Sequence, residues 1–541
     1  MKKLLALILA MSVVLGLCAC GGQGSGSGEG ELTADGRVKL SVGIPTDAYI
    51  MDYDDNALTN WVEKKCNVEL EFVEYAGGTD VATQISTTIS ARQELPDILY
   101  GIRLNTNTIE RYGKEGYLVD VSKWLTADHE FGKIFVDRLE NELTEEERDY
   151  VLRTITSPES EAVYAIPTIE TSLIDKMKYQ LWINTKLLEQ TGMSAPTNND
   201  ELVAVLRAFK NNGVALPLYG TQRGKLGAQI VTWLINLFTY YNPDRPYTVS
   251  EDGKTLSATF VSNEYREALK FVNMLYKEGL LNDLAWSANS GEMKQVITPA
   301  SGQAMCGIAA AHLTLHATEQ NMMIKDYAPL YNWGCAVRTD ISCILKTFIT
   351  ADCANPEKAF EVLMNLFSWD GSMRIRYGEY GVNWTDADEG AKSDVGLDAT
   401  YKLISDPLVV QNTAVWGSIA STLNIMAEGE TAQVAEDMSE WHKIKSQMHA
   451  ESNTLFEKAA AENNPEYKCP VLRNTEEEKE QYEMVRTNID TYYARAQTDF
   501  CKGLAGFDPN SDTDWNNYLK ELENLGLADY MKAAQIAYDR G

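Results

Sequence analysis

Residues 38–44 read VKLSVGI, 58–65 LTNWVEKK, 68–73 VELEFV, 81–89 VATQISTTI and 95–100 LPDILY. Val38, Leu40, Val42 and Ile44 recur with the period of two that marks a strand, and Val68 to Val73 alternate in the same way. Leu58 to Lys65 forms a short helix between those runs. Val81, Ile85 and Ile89 fall on one face of a second helix, and Leu95 to Tyr100 reads as a short buried strand. The order β-α-β-α-β predicts a parallel sheet covered by helices on both faces. In open sheets of this kind ligands sit beyond the carboxyl ends of the strands. Asp47 and Tyr49, with Asp52 and Tyr53, follow the first strand, and Tyr100 ends the third, so these residues are candidates for ligand contact.

Downstream the alternation of strand and helix continues. Ala165-Ile166-Pro167 and Tyr179 to Asn184 read as strands, and Pro196-Thr197-Asn198-Asn199-Asp200 caps a helix running to Asn211. Tyr247 to Phe260 carries an Asp252-Gly253 turn between two extended runs, the signature of a hairpin. Ser262 caps a helix with Tyr265, Ala268, Leu269, Val272, Leu275 and Tyr276 on its apolar face, ended by Gly279. Asn355-Pro356 starts another, with Phe360, Leu363, Met364 and Phe367 at helical spacing. Beyond about residue 415 the pattern is mainly helical, and no repeat of 20 to 50 residues marks a solenoid or propeller. The 541 residues are 44% hydrophobic and 23% charged, enough for a large core. No long Pro-, Gly- or Ser-rich stretch divides the interior, which fits two large interwoven lobes better than a string of small domains. The formal charge of −30 is spread along the chain and repels phosphate backbones, which argues against nucleic acid as a partner.

The amino terminus reads as an export signal. Lys2 and Lys3 precede Leu4 to Ala19, 16 uncharged apolar residues, too few for a permanent spanning helix, which needs about 20. The run ends Leu17-Cys18-Ala19-Cys20-Gly21, similar to a bacterial lipobox, in which the cysteine is lipidated before cleavage in front of it. An ordinary signal peptide with incidental cysteines is the alternative. Residues 21–30 hold six glycines and two serines, a flexible tether with an r.m.s. reach of about 17 Å. The expected mature protein starts at Cys20, anchored by lipid on the extracellular face of the membrane. Of the nine cysteines, seven then remain, at 66, 306, 335, 343, 353, 469 and 501. An odd number cannot all pair, no metal-site spacing joins them, and buried free thiols are the expectation.

Catalytic signatures are missing. His312 and His316 stand four apart without the glutamate of a zinc-protease helix, so no metal and no cofactor is expected. Gly220 to Lys225 is too short for a phosphate loop and is followed by Leu226. No G-x-S-x-G elbow occurs. Aromatic residues are plentiful, with 11 Trp, 27 Tyr and 13 Phe. Tyr and Trp offer flat apolar faces with a polar edge, suited to stacking on sugar rings, although in a chain of this size most aromatics belong to the core.

Several segments together resemble one family: LPDILYG at 95–101, LWINTKLLEQTG and APTNNDEL within 181–202, YREALKFVNMLYKEGLL at 265–281, NPEKAFEVLMNLFS and RYGEYGVNW within 355–384, and the closing DWNNYLKELENLGLADYMKAAQIAYDR at 514–540. They are similar to the large family 1 extracellular solute-binding lipoproteins of bacterial carbohydrate ABC importers. The resemblance implies an α/β, two-lobed clamp of the periplasmic-binding-protein type with a helical C-terminal part. It further implies a monomer that takes an oligosaccharide into the cleft and passes it to permease subunits, with no catalysis. Crossovers are expected near Pro167, near residues 336–345 and around 385–410. The first lobe is expected to hold residues 31–167 and about 345–405, and the second 168–344 and about 406–541. Trp233, after Val231-Thr232, resembles a cleft position of smaller relatives, and His312 stands where those relatives place a stacking Trp. Trp333 lies near the second crossover, and Trp384 and Trp416 flank the third. The expected binding surface is drawn from Asp47, Tyr49, Tyr100, Trp233, His312, Trp333, Trp384 and Trp416. A membrane-anchored glycan hydrolase, needing a carboxylic acid and a second carboxylate in one cleft, and a receptor for a non-sugar solute are the alternatives.

Overall fold

The computed structural model describes residues 32–76, 81–171, 181–221, 229–288, 290–297, 299–310, 322–335, 341–393, 397–405, 407, 411–417, 422–423, 431–433, 440–463 and 468–540. Cys20, its tether and His312 lie outside them.

Strands β1 (Val38–Pro45), β2 (Val68–Tyr75), β3 (Ile98–Leu99), β4 (Ile166–Glu170) and β11 (Ser342–Ile349) build a five-stranded sheet in the order β2-β1-β3-β11-β4. Strands β1, β2 and β3 are parallel, and β11 runs antiparallel to both β3 and β4. The alternation along β1 does what its pattern predicts: Leu40, Val42 and Ile44 are all buried in one core. The connecting helix Ala57–Cys66 starts at Asn56, whose side chain accepts the Leu58 N–H, and contributes Leu58 and Val62 to that core. The opposite face of the sheet is covered by a second set that includes Val81, Ile85, Leu99, Ile109 and Phe348.

The second sheet has four strands in the order β10-β5-β9-β6, with β5 at Leu181–Asn184, β6 at Leu216–Tyr219, β9 at Cys306–Ala310 and β10 at Tyr327–Pro329. Strand β9 is parallel to β6 and antiparallel to β5, which in turn pairs antiparallel with β10. One face packs on the helices Asn199–Asn211 and Asn263–Lys277 and on the C-terminal helices Glu476–Lys502, Asp512–Asn524 and Leu527–Arg540. The other packs on residues including Met293, Ile297 and Met448. The expected Asp252-Gly253 hairpin joins β7 (Tyr247–Val249) to β8 (Leu256–Ala258), with Gly253 at φ +71°.

Each sheet thus centres its own lobe, and the chain crosses between them. It leaves the first after β4 and returns between β10 and β11. Pro167 pairs with Leu345 inside the first sheet, so the first crossing follows Glu170. The third crossing was expected around 385–410. Trp416 and Leu423, however, pack in the first core, whereas Ile444 and Met448 pack in the second, which places that passage after residue 423. A small separate core of Met373, Tyr377, Trp384 and Tyr401 explains the shift: β12 (Trp384–Asp386) and β13 (Tyr401–Leu403) pair antiparallel beside the first lobe's helices. The C-terminal part also reaches the first lobe, where Arg473 stands 3.7 Å from the buried Glu110, which also accepts the Ser157 hydroxyl at 2.7 Å.

All seven cysteines among the described residues are free thiols, five of them buried. Burial pushes the thiols of Cys66, Cys343, Cys353 and Cys469 up to about 12, which leaves them protonated and poorly nucleophilic at neutral pH. No helix among the described residues is long and apolar enough to cross a membrane.

Candidate functional site

Strand direction points to a candidate site. In the first sheet the carboxyl ends of β1, β3 and β4 and the amino end of β11 share one edge. In the second sheet β5 enters and β6, β9 and β10 finish at a common edge, since Leu181 pairs with Ala310 and accepts the Leu330 N–H. The two crossings, β4 to β5 and β10 to β11, join these edges, so the carboxyl ends of both sheets converge where the lobes meet.

On the first lobe that edge carries the loop after β1. Asp47 Oδ1 accepts the Tyr49 N–H at 2.9 Å, an Asx turn that leaves the Tyr49 ring 47% exposed. Tyr100 follows β3 but is fully buried, edge-on to Trp416 with centroids 5.3 Å apart. Trp416 is 1% exposed, meets Phe72 on another side at 5.2 Å, and donates from Nε1 to Thr59 Oγ1 at 2.8 Å. Asp47, Tyr49, Tyr100 and Trp416 are thus brought together. The first two lie at the surface, and the latter two brace the loop from beneath.

Charged residues that sequence reasoning passed over stand on β4 and β11. Glu170 is the buried last residue of β4, paired in register with Ser342, and Lys346 occupies the irregularity between Leu345 and Thr347 in β11. Burial pushes the Lys346 ammonium down to about 8, Glu170 opposes the fall, and Arg103 beyond β3 adds to it. No signal short of knowing the strand pairing brings them together.

On the second lobe, Trp233 is 2% exposed in the helix Ile230–Ile235 and meets the half-buried Trp333 edge-on at 5.8 Å. Trp333 donates from Nε1 to Asn199 Oδ1 at 2.8 Å, which fixes its ring beside the crossing to β11. The Tyr219 hydroxyl at the end of β6, Thr221 Oγ1 just beyond it and Trp233 Nε1 in the helix Ile230–Ile235 are buried without a hydrogen-bond partner among the described residues. An unsatisfied buried group costs about 1–3 kcal/mol, but Tyr219 packs in the core on one face of the second sheet and Trp233 in the core on the other, so the three do not line one spot. Trp384 stands apart. Its Nε1 donates to the Gly378 carbonyl at 2.9 Å and its ring meets Tyr380 and Trp369, within the small core of residues 373–401.

Among the described residues no group of three or more His, Cys, Asp or Glu is placed to hold a metal ion.

Comparison with known proteins agrees with this architecture. Over 526 residues the chain is 23% identical to the fructooligosaccharide ABC transporter substrate-binding protein FusA of Streptococcus pneumoniae, covering 90% of this chain and 88% of that protein. The structure of FusA in complex with kestose superposes with a TM-score of 0.64 at 19% identity, over 93% of this chain and 99% of that one. An HMO-binding, ABC-transporter-associated solute-binding protein from Bifidobacterium longum infantis does so with a TM-score of 0.72 at 17% identity, over 94% and 99%. The family model of the bacterial extracellular solute-binding proteins matches residues 47–372, more than half of the sequence and every strand of the first lobe from β2 to β11, and the chain belongs to that family.

Proposed function

We propose that this protein is the substrate-binding receptor of a carbohydrate ABC importer, capturing an oligosaccharide between its lobes and delivering it chemically unchanged to the permease. The observation that carries this reading is the convergence of the carboxyl edges of both sheets on the two crossings. A ligand held there touches both lobes at once, and bending at the crossings closes them around it. The oligosaccharide-binding relatives support a sugar over other solutes. Asp47, Tyr49 and Trp333 carry exposed or half-exposed surface suited to hydroxyls and ring faces, while the Trp233 N–H, without a partner among the described residues, offers a donor. His312 completes the proposed contacts, while Tyr100 and Trp416 brace the loop that carries Asp47 and Tyr49 and Trp384 packs in its own small core.

Titration calorimetry against kestose, maltotriose, xylotriose and lacto-N-tetraose tests this. At least one should bind with a Kd of about 1 μM, equivalent to about −8 kcal/mol, and should be recovered intact after prolonged incubation. Cleavage of the bound sugar would favour a hydrolase instead, and no heat with any of them would count against a sugar receptor.

The anchor belongs to the same reading. Lys2-Lys3, the apolar run 4–19, Cys20 and the Gly/Ser tether support a lipidated amino terminus that keeps an extracellular receptor beside its permease. Cys20→Ser should shift the protein from the membrane fraction to the medium. A variant that stays on membranes through high-salt washing would contradict the lipid anchor.

A further inference from the structure

A strap of residues 411–417 lies over the loop between β1 and the helix Ala57–Cys66. Asn412 donates its N–H to the Tyr49 carbonyl at 2.8 Å and accepts the Met51 N–H at 3.0 Å. Asn56, which caps the helix, also donates from Nδ2 to the Val415 carbonyl at 2.9 Å, and Trp416 pins the strap's end to Thr59. The strap closes on Gly417, buried at φ +92°, where an added Cβ would stand 2.5 Å from Asp47 Oδ2 and 2.9 Å from its Cγ.

From this geometry we infer that Gly417 is a positioning residue for ligand capture, seating the Asp47 carboxylate at the sheet edge for the hydroxyls of a neutral sugar. The inference rests on the reading that the loop after β1 faces the ligand. Two independent reasons require glycine. A positive φ of this size strains any residue with a Cβ, and the space the Cβ would fill is already taken by the carboxylate. The consequence extends beyond Asp47. Its Oδ1 holds the Tyr49 amide, so a carboxylate pushed outward at Oδ2 also loosens the turn that presents the Tyr49 ring. The strap thereby sets both an acceptor for sugar hydroxyls and an exposed stacking face.

A double-mutant cycle separates this role from backbone strain. Gly417→Ala, Asp47→Ala and the double variant are compared by melting temperature and by calorimetric affinity for the four oligosaccharides named above. Each single variant should weaken binding roughly tenfold, and the double variant also roughly tenfold rather than a hundredfold, because the collision vanishes with the carboxylate and only a 3.0 Å approach to the residue-47 Cβ remains. The strain at φ +92° should lower the melting temperature similarly in both backgrounds. Gly417→Asn, which tolerates positive φ while keeping the collision, replaces Gly417→Ala if the alanine variant does not fold. Losses that multiply, or a Gly417 variant with unchanged affinity, would overturn the positioning role. Asp47→Ala binding as tightly as wild type would remove Asp47 from the site, and no binding by wild type would remove the site reading itself.

Discussion

Trp416→Ala should destabilise the protein by about 3–5 kcal/mol, the range for a large aromatic removed from a packed interior. The indole is 1% exposed, stands edge-on to both Phe72 and Tyr100, and donates to Thr59, whose hydroxyl donates in turn to the Tyr53 carbonyl at 2.6 Å. Its removal opens a cavity beneath β1, β2 and β3 and releases the strap from the first lobe. Against a total stability of about 5–15 kcal/mol for a typical domain, this is a large fraction of the first lobe's margin. Urea unfolding followed by circular dichroism measures it, and Trp416→Phe should fall between alanine and wild type. Unchanged unfolding with lost sugar affinity would instead make Trp416 a ligand platform.

Arg138→Met should cost about 3–5 kcal/mol, the scale for breaking a buried ion pair by removing one partner. The Arg138 side chain is 7% exposed and gathers four segments. It forms a fork with Glu142 at 2.5 and 2.8 Å, donates to the Phe367 carbonyl at 2.7 Å and the Ser372 hydroxyl at 2.9 Å, and reaches the Leu423 carbonyl at 3.1 Å. Methionine fills the space but leaves the Glu142 carboxylate and two carbonyls without their donor, and Arg138→Lys, lacking the planar fork, should recover only part of the loss. The measurement is a thermal melt with the Glu142→Gln variant as companion. A loss under 1 kcal/mol for Arg138→Met would mean that water replaces the guanidinium and that the staple is weak.

Much of the architecture is legible in the sequence because periodicity reports burial. The alternation of Val38 to Ile44, the Ser262 and Asn198 caps and the Asp252-Gly253 turn each act locally, and the structure contains them. Strand β3 is shorter than LPDILY suggests. Pro96 has no N–H to give a ladder, and Asp97 turns its carboxylate back to the Ser41 amide and hydroxyl, both at 2.6 Å, so only Ile98 and Leu99 pair. The site is legible only where it follows strand ends, as with Asp47 and Tyr49. Residue type does not distinguish Trp416 or Tyr100, enclosed in the core, from Trp333, half-open beside a crossing. Long-range contacts leave no local trace: Asn412 and Tyr49 are 363 residues apart, and Arg138 meets Leu423 across 285. Glu170 and Lys346 feel each other's charge only because β11 returns beside β4.

Capture between two lobes demands that they approach each other around the ligand. Small-angle X-ray scattering of the mature protein, recorded without and with a saturating amount of the tightest-binding oligosaccharide, measures that movement directly. The account predicts a smaller radius of gyration and a shorter maximum dimension in the bound state, reversed when the sugar is dialysed away. A tightly bound oligosaccharide that leaves both quantities unchanged would contradict it.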